Sequence, residues 1–280
     1  MKLRDTLLAF ALLPALSQAA PPCTPQTAID VSKIAQQIIV VGEMHGTEQA
    51  PRLVSGLVCS LLQSGHGVIL ALERNGAEQP ALVRYIESSG SAADRAALWQ
   101  QPDWRNATQD GRSSAALMAL IDDVRKLRGS GQRIGILAMQ QVTTELAPLR
   151  VDEKTMLAER EALLYSRIND RSMADNLLAA GVLYGNYKIV ALAGGVHTGT
   201  KRPDWAEPGY LPMGALVLAE RPAYFIGLRS EGGTAWVCGR GGVCGPREVG
   251  AGAFVAADTK IDAEASLGPI TASPPAAKNP

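Results

Sequence analysis

Short apolar runs rich in β-branched residues alternate along this chain with longer stretches of helical periodicity, and few folds accommodate that alternation. The runs are Ile38–Val41, Val68–Leu72, Arg133–Ala138, Lys188–Ala193, Gly214–Leu218 and Tyr224–Leu228, which read as short buried strands. Between them, Leu53, Val54, Leu57, Val58, Leu61 and Leu62 recur at helix spacing, and Leu117, Leu120, Ile121 and Val124 repeat the pattern. A long helix is predicted from about Asp152, a good N-cap, to Gly181, a good C-cap. Strands separated by helices predict an α/β fold: a mostly parallel sheet flanked by helices, with a strand-rich C-terminal part after Leu218.

The apolar stretch from Leu7 to Leu16 follows Lys2 and Arg4 and precedes Ser17-Gln18-Ala19, the pattern of a secretory signal over residues 1–19. It is too short, and broken by Pro14, to serve as a membrane anchor. Residues 20–37 read as an N-terminal extension and 38–262 as a single α/β domain. The segment 263–280 reads as a disordered tail, poor in bulky apolar residues. Export to a secreted or periplasmic location suits the four cysteines, an even number that allows three pairings. Cys238 and Cys244 enclose a Gly-rich loop between segments that can pair as strands, the geometry of a hairpin clip. Cys23 and Cys59 would then tie the extension to the first helix. With 27 basic and 27 acidic residues, the chain lacks the charge footprint of a nucleic-acid binder, and no stable membrane insertion is expected once the signal is removed.

Histidine is scarce, and two of the three share one setting. Gly42-Glu43-Met44-His45 and Gly194-Gly195-Val196-His197 each follow a predicted strand, placing an imidazole just past its carboxyl end, where open α/β sheets bind ligands. His66 lies in a turn and reads as a loop residue. A third strand ends at Glu73-Arg74, so Glu73 would join Glu43, His45 and His197 along one sheet edge. Two carboxylates and two imidazoles support either of two chemistries: ligation of a divalent metal that activates water, or metal-free general acid–base catalysis. The chain has no GxSxG nucleophile elbow, so water is the preferred attacking group, and the partner is a small-molecule or peptide substrate.

These motifs, together with Leu72-Glu73 and the segment Asp170-Arg171-Ser172-Met173-Ala174-Asp175-Asn176, resemble the paired GxxH architecture of the superfamily of erythromycin esterases, ChaN haem-binding lipoproteins and Tiki-type metalloproteases. The likeness runs from about residue 38 to 200. It implies Glu43, His45, Glu73 and His197 as the active-site or metal-binding set. It also implies Arg52 as a substrate or carboxylate partner, and Asp170 and Asn176 as supporting residues. Asn169 stands where the superfamily motif has arginine. The resemblance implies a hydrolase acting on an ester, lactone or peptide carbonyl, with a ChaN-like haem- or metal-binding uptake protein as the alternative.

Overall fold

The computed structural model describes residues 22–26, 28–105, 109–140, 157–206, 208–239, 242–255 and 258–277, with backbone alone at 157–167. The expected signal segment, the Asp152 cap and loop positions 240 and 241 lie outside the described residues. The strands are β1 (Ile38–Glu43), β2 (Gly67–Asn75), β3 (Ile134–Gln140), β4 (Tyr187–Gly194), β5 (Ala223–Ser230), β6 (Gly233–Cys238), β7 (Cys244–Val249), β8 (Gly252–Ala253) and β9 (Ala263–Ser266). Their connections include helices α1 (Gln49–Gln63), α2 (Gln79–Ile86), α3 (Ala92–Trp99), α4 (Pro102–Arg105), α5 (Ala115–Gly129), α6 (Leu157–Leu183) and α7 (Met213–Glu220).

The main sheet has the order β3-β2-β4-β1-β5, all parallel, with β8 antiparallel and β9 parallel against β5. Alternation along each strand feeds two cores, because successive side chains point to opposite faces. Ile39, Val41, Leu70, Leu72, Val190 and Leu192 pack with Leu57 and Leu61 of α1 and Ile121 and Val124 of α5. Ile38, Val40, Ala71, Ile189 and Ala191 pack with Met173 and Leu177 of α6 and Met213 and Val217 of α7. A sheet buried on both faces explains why these strands read as continuous apolar runs.

Two disulfides fasten the periphery. Cys23–Cys59 ties the N-terminal extension to α1, and Cys238–Cys244 closes the β6–β7 hairpin. The extension is fixed further by Lys188, whose buried ammonium donates to the carbonyls of Ile34, Ala35 and Gln36.

Three expectations need correction. The run Gly214–Leu218 belongs to helix α7, not a strand: a short all-apolar run carries no period to separate the two, and Met213 and Val217, one turn apart, share the buried face. Helix α6 continues past Gly181 to Leu183. The expected disordered tail is ordered through residue 277, with β9 pairing β5 and with Ala265 and Ile270 buried. Backbone bonds hold it where bulky side chains are lacking: Ser273 donates its N–H to Gly46 at 2.8 Å and Ala276 donates to Ser113 at 2.9 Å.

Candidate active site

Strand register brings the two histidine motifs side by side. Gly42 pairs with Ala193 and Glu43 with Gly194 across β1 and β4, while Leu72 of β2 pairs with Leu192 on the other side of β4. Glu43, His45, Glu73 and His197 therefore emerge at one carboxyl edge of the sheet. Gly194 is required at this junction: a Cβ there would stand 2.9 Å from His45 Nε2. Its N–H donates to Glu73 Oε2 at 2.8 Å. Gly46, with φ of +74°, turns the chain away after His45 in a conformation that disfavours side chains.

His45 is held between two carboxylates, with Nδ1 2.9 Å from Glu43 Oε1 and Nε2 3.3 Å from Glu73 Oε2. Burial alone favours the neutral ring, but the charge of Glu73 and the bonds to both glutamates override it and push the pKa up to about 10. The ring is an imidazolium at neutral pH. Glu73 is correspondingly held well below the usual carboxylate range: burial opposes ionisation, and His45, His197 and Arg112 outweigh it.

His197 has a different environment. Its Nδ1 donates to Asp170 Oδ1 at 2.8 Å, whereas Nε2 stands 3.6 Å from Glu73 Oε1, beyond hydrogen-bond range. Asp170, fully buried on α6, also accepts from the Tyr210 hydroxyl at 2.8 Å and from the Met213 N–H at 2.9 Å. Three donors fix this carboxylate, and it fixes the imidazole. Burial lowers the basicity of His197, but the charges of Glu73 and Asp170 leave its pKa above the ordinary value.

Other expected residues lie apart. Arg52 is exposed, pairs with Glu48 one turn earlier at 3.6 Å and lines an open groove with Cys23 and Lys126. No described hydrogen bond or ion pair joins it to the cluster. A position near the start of α1 is close in sequence to His45, but its side chain points to another face. Asn176 donates to the Met139 carbonyl at 2.9 Å, docking α6 on the end of β3. Asn169 is buried, and its Oδ1 has no hydrogen-bond partner. His66 is half-buried in its turn, its pKa lowered by burial and by Lys188 and Arg133.

The cation near the cluster is instead Arg112, on the loop before α5. Its Nη1 lies 3.4 Å from Glu73 Oε1, and Asp110 binds its Nε and Nη2. Arg74, next to Glu73, is not on the surface. It is fully buried, paired with Glu78 through Nε and Nη2, stacked on Trp104 at 4.4 Å, and its Nη1 donates to the Arg112 carbonyl at 2.7 Å. Gln140, at the end of β3, completes the surroundings at 3.3 Å from Glu73 Oε1. Sequence periodicity carries no trace of these contacts, which span 38 to 67 residues.

The donor set does not suit a bound metal. Both nitrogens of His45 and Nδ1 of His197 already face carboxylates, and among the described residues no group of three or more His, Cys, Asp or Glu side chains is arranged to hold an ion. Among the tyrosines, the hydroxyls of Tyr85 and Tyr210 are committed to Asp122 and Asp170. Among the described residues no helix is long and apolar enough to cross a membrane.

No family model matches the chain, and no curated protein does. Solved structures do. An erythromycin esterase mutant in its open conformation is 13% identical with a TM-score of 0.55, the match covering 77% of this chain and 76% of that one. A Bacillus cereus protein is 12% identical with a TM-score of 0.55, over 86% of this chain and 78% of its own. A succinoglycan biosynthesis protein is 15% identical with a TM-score of 0.52, over 83% and 78% respectively. At such identities the likeness is one of fold: the chain has the architecture seen in the erythromycin esterase structure.

Proposed function

We propose that the protein is an exported hydrolase that activates water on the carbonyl of an ester, lactone or peptide. The observation that carries this reading is the buried Asp170, which holds His197 Nδ1 and leaves Nε2 as the basic nitrogen facing the cluster. His197 removes a proton from water as the oxygen attacks the carbonyl carbon, then returns it to the leaving group. His45 cannot serve as that base while both its nitrogens bind carboxylates. It acts as a fixed positive charge that holds Glu43 and Glu73 in place. Trp205 is exposed and its ring stands 6.1 Å from that of Tyr210, which bonds Asp170, so it offers an apolar contact to a small-molecule or peptide substrate. Two disulfides support an oxidising location.

The test is turnover of a panel of p-nitrophenyl esters, lactones and peptides by the wild type, His197→Ala and His66→Ala, with thermal melts alongside. Loss of roughly 10²-fold or more in His197→Ala alone, without a matching loss of stability, is expected. No turnover by the wild type, or equal loss in the His66 variant, overturns the reading. A saturable Soret shift on adding haemin would favour the uptake alternative.

A further inference from the structure

The two oxygens of Glu73 are held unequally. Oε2 accepts a 2.8 Å bond from the Gly194 N–H and faces His45 Nε2 at 3.3 Å. Oε1 is approached by Gln140 Nε2 at 3.3 Å, Arg112 Nη1 at 3.4 Å and His197 Nε2 at 3.6 Å. Gln140 and Arg112 make long hydrogen bonds to Oε1 while His197 Nε2 stands beyond range, so three polar groups converge on one small space with two of them only loosely held there.

Arg112 is the charged donor of the three. Asp110 takes its Nε and Nη2, which leaves Nη1 directed at the Glu73 side, and the side chain remains 37% exposed. Its backbone is not free to drift: the buried Arg74 holds the Arg112 carbonyl at 2.7 Å, and the Glu78 pair and Trp104 ring hold Arg74.

We propose that Arg112 Nη1 receives the oxygen of the substrate carbonyl, and that Arg74 is the positioning residue for it. The assignment rests on the hydrolytic reading above. As water attacks, the new C–O bond forms, the carbonyl π pair moves onto oxygen, and the proton goes to His197 Nε2. The oxyanion is stabilised by Arg112, whose proton is secured by Asp110 and Glu73. When the pair returns, the bond to the leaving group breaks and His197 delivers its proton there. A guanidinium fixed in advance suits the tetrahedral, anionic state better than the neutral ground state, so its contribution falls on kcat more than on KM.

The test uses p-nitrophenyl methylphosphonate, a tetrahedral monoanion, as the probe, followed by imidazole NMR of the three histidines and by calorimetry. The wild type is expected to bind it, with shifts at His45 and His197 and none at His66. Arg112→Gln should bind at least about tenfold more weakly, and Arg112→Lys less so, with thermal melts of both near wild type. On any ester the wild type turns over, Arg112→Gln should lose roughly 10²-fold in kcat with little change in KM. Unchanged phosphonate affinity in Arg112→Gln, no binding by the wild type, or a loss confined to KM overturns the assignment. Absence of wild-type turnover with Arg112-dependent phosphonate binding would refute the hydrolytic reading while leaving Arg112 as the anion-binding residue.

Discussion

Arg74 Nη1 lies 2.7 Å from the main-chain carbonyl of Arg112, so one buried arginine sets the backbone that carries a second, half-exposed one. Arg74 in turn depends on Glu78, whose carboxylate is fully buried beside it. Arg74→Met should therefore strand a buried charge and destabilise the protein by about 3–5 kcal/mol, while Arg74→Met with Glu78→Leu should recover most of that loss. Urea unfolding of the two variants checks this. A double variant as unstable as the single one would show that the cost comes from packing on Trp104 and not from the unpaired charge.

The raised pKa of His45 makes a prediction about alkaline stability. In the unfolded chain the ring titrates near 6.5, and in the folded protein near 10. The ion-pair stabilisation is therefore complete below about pH 6.5 and is lost as pH rises through about 10. Its size is on the order of 5 kcal/mol, counted once for His45 and Glu73 together because both shifts describe the same attraction. The stability difference between wild type and His45→Gln should shrink between pH 7 and 11, and a difference constant over that range would contradict the ion-pair arrangement.

Turnover should be bell-shaped in pH. A neutral His197 is needed as base, and its raised pKa puts the acid limb of kcat/KM above the ordinary histidine value of about 6.5. A charged His45 is needed to hold the carboxylates, so the alkaline limb should fall near pH 10. In Asp170→Asn the acid limb should shift downward as the imidazolium loses its counter-charge, with a fall in rate on the order of 10²-fold or more. A pH profile with the same acid limb in that variant would remove Asp170 from the mechanism.

The sheet and the histidine pair were legible because buried parallel strands write themselves as continuous apolar runs, and because Gly-x-x-His follows two of them. The cysteine pairing followed from a hairpin-like spacing that left Cys23 and Cys59 to each other. Arg112 and Tyr210 were not legible: each reaches the site from a loop about 40 residues from the residue it contacts, at 39 and 40 positions respectively. Arg52, implied by the resemblance and not by any pattern in the chain, is exposed and pairs with Glu48 away from the cluster. The tail misled for a physical reason. Composition measures side-chain burial, whereas residues 270–276 are held largely through main-chain N–H and C=O groups.

That tail should matter to the site. Ser273 donates to the carbonyl of Gly46, the residue after His45, and Thr271 accepts from the Glu48 N–H. Truncation after Asp262 removes these bonds and strand β9, leaving the edge of β5 uncovered beside β8. We expect a melting temperature lower by several degrees, more than a surface truncation would give, together with reduced turnover. Unchanged melting and activity would show that Gly46 is held well enough by Trp236, whose N–H also reaches its carbonyl.

The pairing of Glu43 with Gly194 has a consequence for how such a protein can change. The distance between the two histidine motifs is set by a ladder between neighbouring strands, not by the chain that runs from one to the other. Insertions or deletions in the loops between α1 and β4 can remodel the walls around the cluster only where β2, the Arg112 loop and α6, which carry Glu73, Arg112 and Asp170, keep their places. A slip of one residue in either strand, by contrast, would turn one motif to the wrong face of the sheet and dismantle the site at a stroke. The spacing of the two motifs is therefore held by strand pairing and not by the length of the chain that joins them.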